Sequence, residues 1–251
     1  MTESFTRYYS GGEEGDTLVS MSDPGLDEAL AGRRVQLVEV TTPGVTRGTL
    51  RPELYPEHPG QPDEVDAARA QEYALLAFLL TRAPDAALLN RIAQLRGDAS
   101  PLGIAHAAMA RAAEGASAEK IASEYFDLFI GVGRGELLPY GSYYLTGFLN
   151  ERPLARLRED LRALGVERGD QLSEAEDHVA ILCEIMAGLI RGQFAAAAER
   201  QQQIFERHLA PWIGRFFADL AAAEAADFYR HVGAIGRLFI EIETQAFALP
   251  P

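Results

Sequence analysis

The sequence predicts an all-α fold, a single compact helical domain (broadly a bundle) with an irregular N-terminal extension. Three observations carry this. Alanine is abundant and long stretches beyond residue 63 lack Gly and Pro, which favours helices. Apolar residues recur there at i, i+3, i+4 and i+7, the spacing of one helix face. Neither a βαβ alternation nor a fixed-period repeat is visible. With 251 residues the chain is long enough to bury one sizeable core.

Each element has its own signal. Tyr73, Leu76, Ala77 and Leu80 share a face of the first helix, which Pro84 stops. Asp85 can cap the next, through Leu88, Leu89, Ile92 and Leu95 to Gly97. Ser100-Pro101 reads as an N-cap followed by proline at the first helical position. Ser117 can cap a helix burying Ile121, Tyr125, Phe126, Leu128 and Phe129. Ser142 to Leu149 reads as a short helix, and Pro153 to Leu164 as another ending at Gly165. Ser173 and Glu176 read as a capping box before a stripe of Val179, Leu182, Cys183, Met186, Leu189 and Ile190. A helix from about Phe194 to Leu209 ends at Pro211; Trp212, Ile213, Phe216, Phe217 and Leu220 begin another. The last carries Phe228, Val232, Ile235, Leu238, Phe239 and Ile242, so roughly eight to ten helices are expected in all.

Residues 1–62 differ from the helical part, residues 63–251. Gly11 to Asp16 is polar, and Pro24, Pro43, Pro52, Pro56, Pro59 and Pro62 punctuate the chain from there to the first helix. Such a segment buries too little apolar surface to offset its ordering entropy, so a disordered or loosely docked extension is expected. Val35 to Val40 could form a short strand or docking element within it.

Composition excludes several classes. The formal net charge of −14 repels nucleic-acid phosphates and anionic membranes and attracts cationic partners. Acidity also aids solubility by itself. The lone Cys183 precludes an internal disulfide, which is consistent with a cytoplasmic location. The N-terminus lacks the basic start and apolar run of a secretory signal, and no apolar stretch approaches the roughly 20 residues of a membrane span. Arg33-Arg34 is a twin arginine, but no apolar segment of signal length follows it.

The most informative stretch is Glu124-Tyr125-Phe126-Asp127-Leu128-Phe129-Ile130-Gly131, a glycine-rich turn, then Leu138-Pro139-Tyr140-Gly141-Ser142-Tyr143-Tyr144. It places apolar rings beside a loop of exposed backbone, which suits a groove for a peptide. No nucleophile, metal cage or phosphate cradle is evident, so no catalytic residue, metal or cofactor is assigned. His58, His106, His178, His208 and His231 show no metal-ligand spacing. Gly131-Val132-Gly133-Arg134-Gly135 resembles a phosphate loop, but it follows a helix and leads to Pro139, as a helix stop does. Asp177-His178 falls in the expected first helical turn, where an acidic residue suits the helix dipole. Cys183 reads as a small buried hydrophobe and Trp212 as core.

Together these segments resemble the TorD/DmsD/NarJ group of maturation chaperones for molybdenum-containing oxidoreductases, over roughly residues 65 to 247. The resemblance rests first on Tyr125-x-x-Leu128-Phe129-x-Gly131 with Pro139-Tyr140-x-Ser142-x-Tyr144. It rests next on Glu174-Ala175-Glu176-Asp177-His178, similar to the family's Glu-Pro-x-Asp-His element with Ala175 in place of proline. His208-Leu209-Ala210-Pro211-Trp212, then Phe228-Tyr229 and the terminal helix, complete it.

The resemblance implies a cytoplasmic chaperone without catalytic turnover. It would bind an immature molybdoenzyme catalytic subunit, through its twin-arginine leader, and assist cofactor insertion before export. Formate dehydrogenase, trimethylamine N-oxide reductase, dimethyl sulfoxide reductase and nitrate reductase are the candidate clients. No nucleic acid and no stable membrane insertion are expected, and the chain would be a monomer or a domain-swapped dimer. In this reading Tyr125, Leu128, Phe129, Pro139, Tyr140, Ser142 and Tyr144 shape the groove, with Asp177 and His178 at its rim. Two alternatives stay open: a helical scaffold or regulator without leader specificity, and a weak nucleotide hydrolase using the Gly131–Gly135 loop.

Overall fold

The computed structural model describes residues 38–40, 64–168, 174–194 and 198–249. The rest of the N-terminal extension, and Ser173 of the expected capping box, lie outside the described residues.

Ten α-helices make up the described residues, with one pair of three-residue strands. Strand β1 (Val38–Val40) precedes α1 (Glu64–Thr81), α2 (Ala86–Ile92), α3 (Pro101–Glu114) and α4 (Ala118–Tyr125). Helices α5 (Gly141–Thr146) and α6 (Arg152–Ala163), strand β2 (Val166–Arg168) and α7 (Val179–Ile190) follow. The chain closes with α8 (Ala198–Ile204), α9 (Ile213–Ala222) and α10 (Tyr229–Ala248). Strand β1 pairs antiparallel with β2, Val38 facing Arg168 and Val40 facing Val166. No described helix is long and apolar enough to cross a membrane.

The caps form where sequence chemistry puts them. Asp85 accepts from the Leu88 N–H, Ser100 from Gly103 and Ser117 from Lys120, each satisfying an amide the first turn leaves free. Helix α5 ends at Gly147 with φ +83°, a left-handed conformation that glycine adopts without steric cost.

The core is built on two long contacts. Helix α1 runs along α7, and α9 along α10, which also lies against α3. Helix α7 is apolar almost all round, as a central helix must be, and Cys183 is buried on it. Leu75, Phe78 and Leu79 of α1 are buried besides the expected stripe, so α1 too is enclosed on more than one side. An ionic link joins the termini of the helical part. Arg69 of α1 donates from Nε to Glu243 Oε1 at 2.7 Å and from Nη2 to Oε2 at 2.9 Å. The Tyr73 hydroxyl donates to the same carboxylate at 3.1 Å, so this buried charge is both paired and hydrogen-bonded.

Two expected boundaries are corrected. The helix after Glu176 begins at Val179, with His178 as N-cap, so Glu176 stands before the helix instead of in its first turn. Its carboxylate is engaged by Arg158 of α6, Nη2 to Oε2 at 2.8 Å. The helix expected to run straight to Leu209 changes to a π-helical turn over Phe205–Leu209.

Candidate functional site

Helix α4 also passes into a π-helical turn, Phe126–Ile130, which closes with the Gly131 N–H donating to Phe126 O at 2.7 Å. Gly131 has φ +60°, and the chain then folds back: Glu136 N–H donates to Asp127 O and Leu137 N–H to Leu128 O. The glycine run is therefore a reversal onto its own helix. It opens no helix, and α5 starts only at Gly141.

The reversal delivers Pro139–Ser142 to the segment before α7. Gly141 N–H donates to Asp177 O at 2.9 Å, and Val179 N–H donates to Pro139 O at 2.8 Å. Tyr140 and His178 form an antiparallel bridge, their rings edge to face with centroids 5.0 Å apart. The Ser142 N–H donates to Asp177 Oδ2 at 2.7 Å. Asp177 thus caps α5 from a distant part of the chain, and His178 caps α7, its Nδ1 accepting from the Ala180 N–H at 3.2 Å. Both lie inside, not on a rim: Asp177 is 3% exposed and His178 7%. Two buried polar atoms here, Ser142 Oγ and Asp177 Oδ1, have no hydrogen-bond partner among the described residues.

Glu174 is the exposed carboxylate of the cluster. It accepts a hydrogen bond from the Tyr140 hydroxyl. Burial together with this carboxylate raises the Tyr140 phenol above its usual range. The same pair of causes lifts Tyr125 to about 12. Burial drives His178 the other way, down to about 4, against the pull of Glu174. His178 is therefore a neutral hydrogen-bond acceptor at physiological pH.

The remaining expected groove residues separate. Leu128 is fully buried core. The half-buried Tyr125 donates its hydroxyl to Thr81 O at 2.8 Å, and its ring meets Phe129 at 5.0 Å and Tyr229 at 5.8 Å, so it fastens α4 to α1. Tyr144 points to α9: its hydroxyl donates to Asp219 at 3.0 Å and its ring meets Trp212 at 5.5 Å. Pro139, Tyr140, Ser142, Asp177 and His178 are brought together; Leu128, Phe129 and Tyr144 belong to flanking packing.

Sequence reasoning missed the apolar residues that do face solvent. Phe148 is 70% exposed and Val132 98%, with Ile130, Leu145 and Leu149 also exposed. Arg134 of the glycine turn donates to the Tyr143 hydroxyl at 3.1 Å, which ties the turn to α5. The Phe148-Leu149 pair after Gly147 was the available signal, because a turn has no packing reason to hold adjacent large apolar side chains. Among the described residues no cluster of His, Cys, Asp and Glu could hold a metal ion.

A family model described as nitrate reductase delta subunit matches residues 95–218, which span the whole cluster. "Chaperone protein TorD" of Vibrio cholerae is 30% identical over 131 residues, 49% of this chain and 60% of that protein. The chain thus resembles the TorD chaperones and matches the delta-subunit family model over just under half of its length. Other TorD relatives are those of Vibrio atlanticus, 27% identical over 139 residues, and Aliivibrio fischeri, 25% over 139 residues. Each of these two matches covers 51% of this chain and 65% of the relative. The chain therefore spans about three fifths of the length of the curated TorD relatives it matches. A solved structure, a putative redox enzyme maturation protein from Archaeoglobus fulgidus, resembles it with a TM-score of 0.44 and 20% identity. That resemblance covers 76% of this chain and 99% of the other. The Pro139–Ser142 and Glu174–His178 segments, which carry much of the sequence resemblance, meet in space.

Proposed function

We propose that this protein is a cytoplasmic maturation chaperone for a molybdenum-containing oxidoreductase, without catalytic turnover of its own. It holds an apolar, cationic segment of the immature catalytic subunit, the twin-arginine leader, while cofactor is inserted. The observation that carries this reading is the joining of Pro139–Ser142 to Glu174–Val179 by three hydrogen bonds, in a protein that also exposes Phe148, Leu149 and Val132.

The physics suits a peptide better than a small molecule. Exposed apolar side chains gain roughly 25 cal/mol per Å² covered, and a leader's apolar run can cover several at once. Exposed Glu174 offers a charge-assisted acceptor to a guanidinium. The net charge of −14 favours encounter with a cationic segment. Asp177 and His178 act underneath, holding the two segments in register. Ordering the leader opposes binding, so affinity stays moderate and release remains feasible.

Calorimetric titration of synthetic molybdoenzyme leaders tests this. Binding should weaken about tenfold or more in Glu174→Gln and in Phe148→Ser, each replacing one attractive contact. Unchanged affinity in both variants removes this surface from the model, and absence of binding to every leader tried removes the leader.

A further inference from the structure

Helix α6 is the most basic of the described helices. Arg152, Arg156, Arg158 and Arg162 stand there against Glu159 and Asp160, in a chain of formal net charge −14. Some of these charges are engaged within the protein. Arg158 holds Glu176, and Asp160 is shared by Arg207 at 3.0 Å and His208 at 2.7 Å. Arg152, Arg156 and Arg162 are exposed and make no hydrogen bond or ion pair among the described residues. Arg152 and Arg156, four positions apart, share a side of the helix, and Arg162 follows about 15 Å along the axis from Arg152. The exposed acids of this stretch are Glu151 and Glu159, so cations prevail.

Two large apolar side chains precede the arginines. In the turn after α5, Phe148 is 70% exposed and Leu149 43%, and α6 begins three residues after Leu149. Guanidinium groups next to exposed apolar side chains suit carboxylates that flank an apolar residue. A bilayer suits this face less well. The apolar stripe of α6, Leu154, Leu157 and Leu161, is buried in the protein and cannot insert. Membranes and nucleic acids also present extended anionic surfaces to the whole acidic chain. A short acidic segment meets only the charges within a Debye length, about 8 Å.

We propose that the exposed face of α6, together with Phe148 and Leu149, docks an acidic polypeptide segment of another protein, one with carboxylates beside a large apolar residue. Its charge preference is opposite to that of Glu174, so the two surfaces take different segments, and this one does not depend on the leader reading.

The test uses the full chain and a labelled synthetic peptide with glutamates flanking a pair of leucines. Control peptides carry glutamine for glutamate, or serine for leucine. In a fluorescence anisotropy titration the wild type should bind the acidic peptide about tenfold or more tightly than either control. Arg152→Glu/Arg156→Glu should lose that preference and favour a peptide with lysines in place of the glutamates. Arg152→Gln/Arg156→Gln, which removes charge without reversing it, should show the same loss if the reversal disturbs folding. Failure to bind any peptide, equal binding of the acidic and glutamine peptides, or a preference that survives both variants overturns the proposal. Binding of phosphatidylserine vesicles without binding of the peptide also overturns it and assigns the face to a membrane. A dimer in sedimentation that the substitutions dissolve, again without peptide binding, overturns it in favour of a second copy of this chain.

Discussion

The Asp177 carboxylate caps a helix that begins well before it in the chain: its Oδ2 accepts the N–H of Ser142, thirty-five residues earlier, at 2.7 Å. Asp177→Ala leaves that buried amide without a partner, which costs about 1–3 kcal/mol. Asp177→Asn retains an acceptor and should recover most of the loss. Urea unfolding of both variants checks this. Equal destabilisation by Ala and Asn would mean that the charge, not the cap, is what matters.

His178 makes stability fall on the acid side. Its folded pKa, about 4, lies below the ordinary histidine value because burial disfavours the imidazolium. The unfolded chain then binds more protons between about 6.5 and 4, so stability should fall as pH drops through that window. Protonation also removes the Nδ1 acceptor from the Ala180 N–H. His178→Asn keeps a capping acceptor without the titration. Its melting temperature should vary less with pH over this range than that of the wild type.

His106 works in the opposite sense. Burial pulls its pKa down, but the Glu72 carboxylate, 3.1 Å from Nε2, outweighs burial and the net shift is upward. Its contribution is therefore complete below about 6.5 and is lost as pH rises through the raised folded value. His106→Ala strands a buried carboxylate and should cost about 3–5 kcal/mol at neutral pH. Denaturant unfolding at a series of pH values measures both effects.

Glu124 of α4 caps α10, accepting the N–H groups of Asp227 at 2.8 Å, Phe228 at 3.1 Å and Tyr229 at 2.6 Å. Three amides and the positive end of a long helix converge on one carboxylate. Glu124→Ala should destabilise by about 2–3 kcal/mol, and Glu124→Gln by less, since it still accepts. Slower exchange of the Tyr229 amide in wild type than in Glu124→Ala would locate the effect at this cap.

Two glycines should respond for different reasons. A Cβ on Gly236 would meet the Phe217 ring at 2.3 Å, so Gly236→Ala forces α9 and α10 apart and costs about 1–3 kcal/mol. Gly133 has open space around it but φ +89°. Gly133→Ala should therefore cost only the backbone penalty, about 1–2 kcal/mol, without disturbing the core. Near-ultraviolet circular dichroism should change for the first variant and not for the second.

The helical part was legible because its signals are local. Asp85, Ser100 and Ser117 cap where a polar side chain precedes an apolar period, and nothing distant competes for them. The long-range partner of Glu176 was not legible for the converse reason: Arg158, on another helix, holds its carboxylate, and no local pattern announces that contact. The site was legible as a set of segments, but not as roles. Tyr125, Leu128, Phe129 and Tyr144 read as one aromatic surface, yet Leu128 faces the core and Tyr144 faces α9.

The sequence by itself determined helix content, most helix starts, the acidic balance and the resemblance to TorD-type chaperones, since these depend on short-range spacing, composition and motif order. The tertiary structure decided which groups face water. Asp177 and His178 lie inside because α5 and α7 each need a capping acceptor at the point where the chain reverses. Phe148 and Val132 lie outside because they sit in turns with no helix packed over them. Burial depends on partners far along the chain, and no local pattern encodes them.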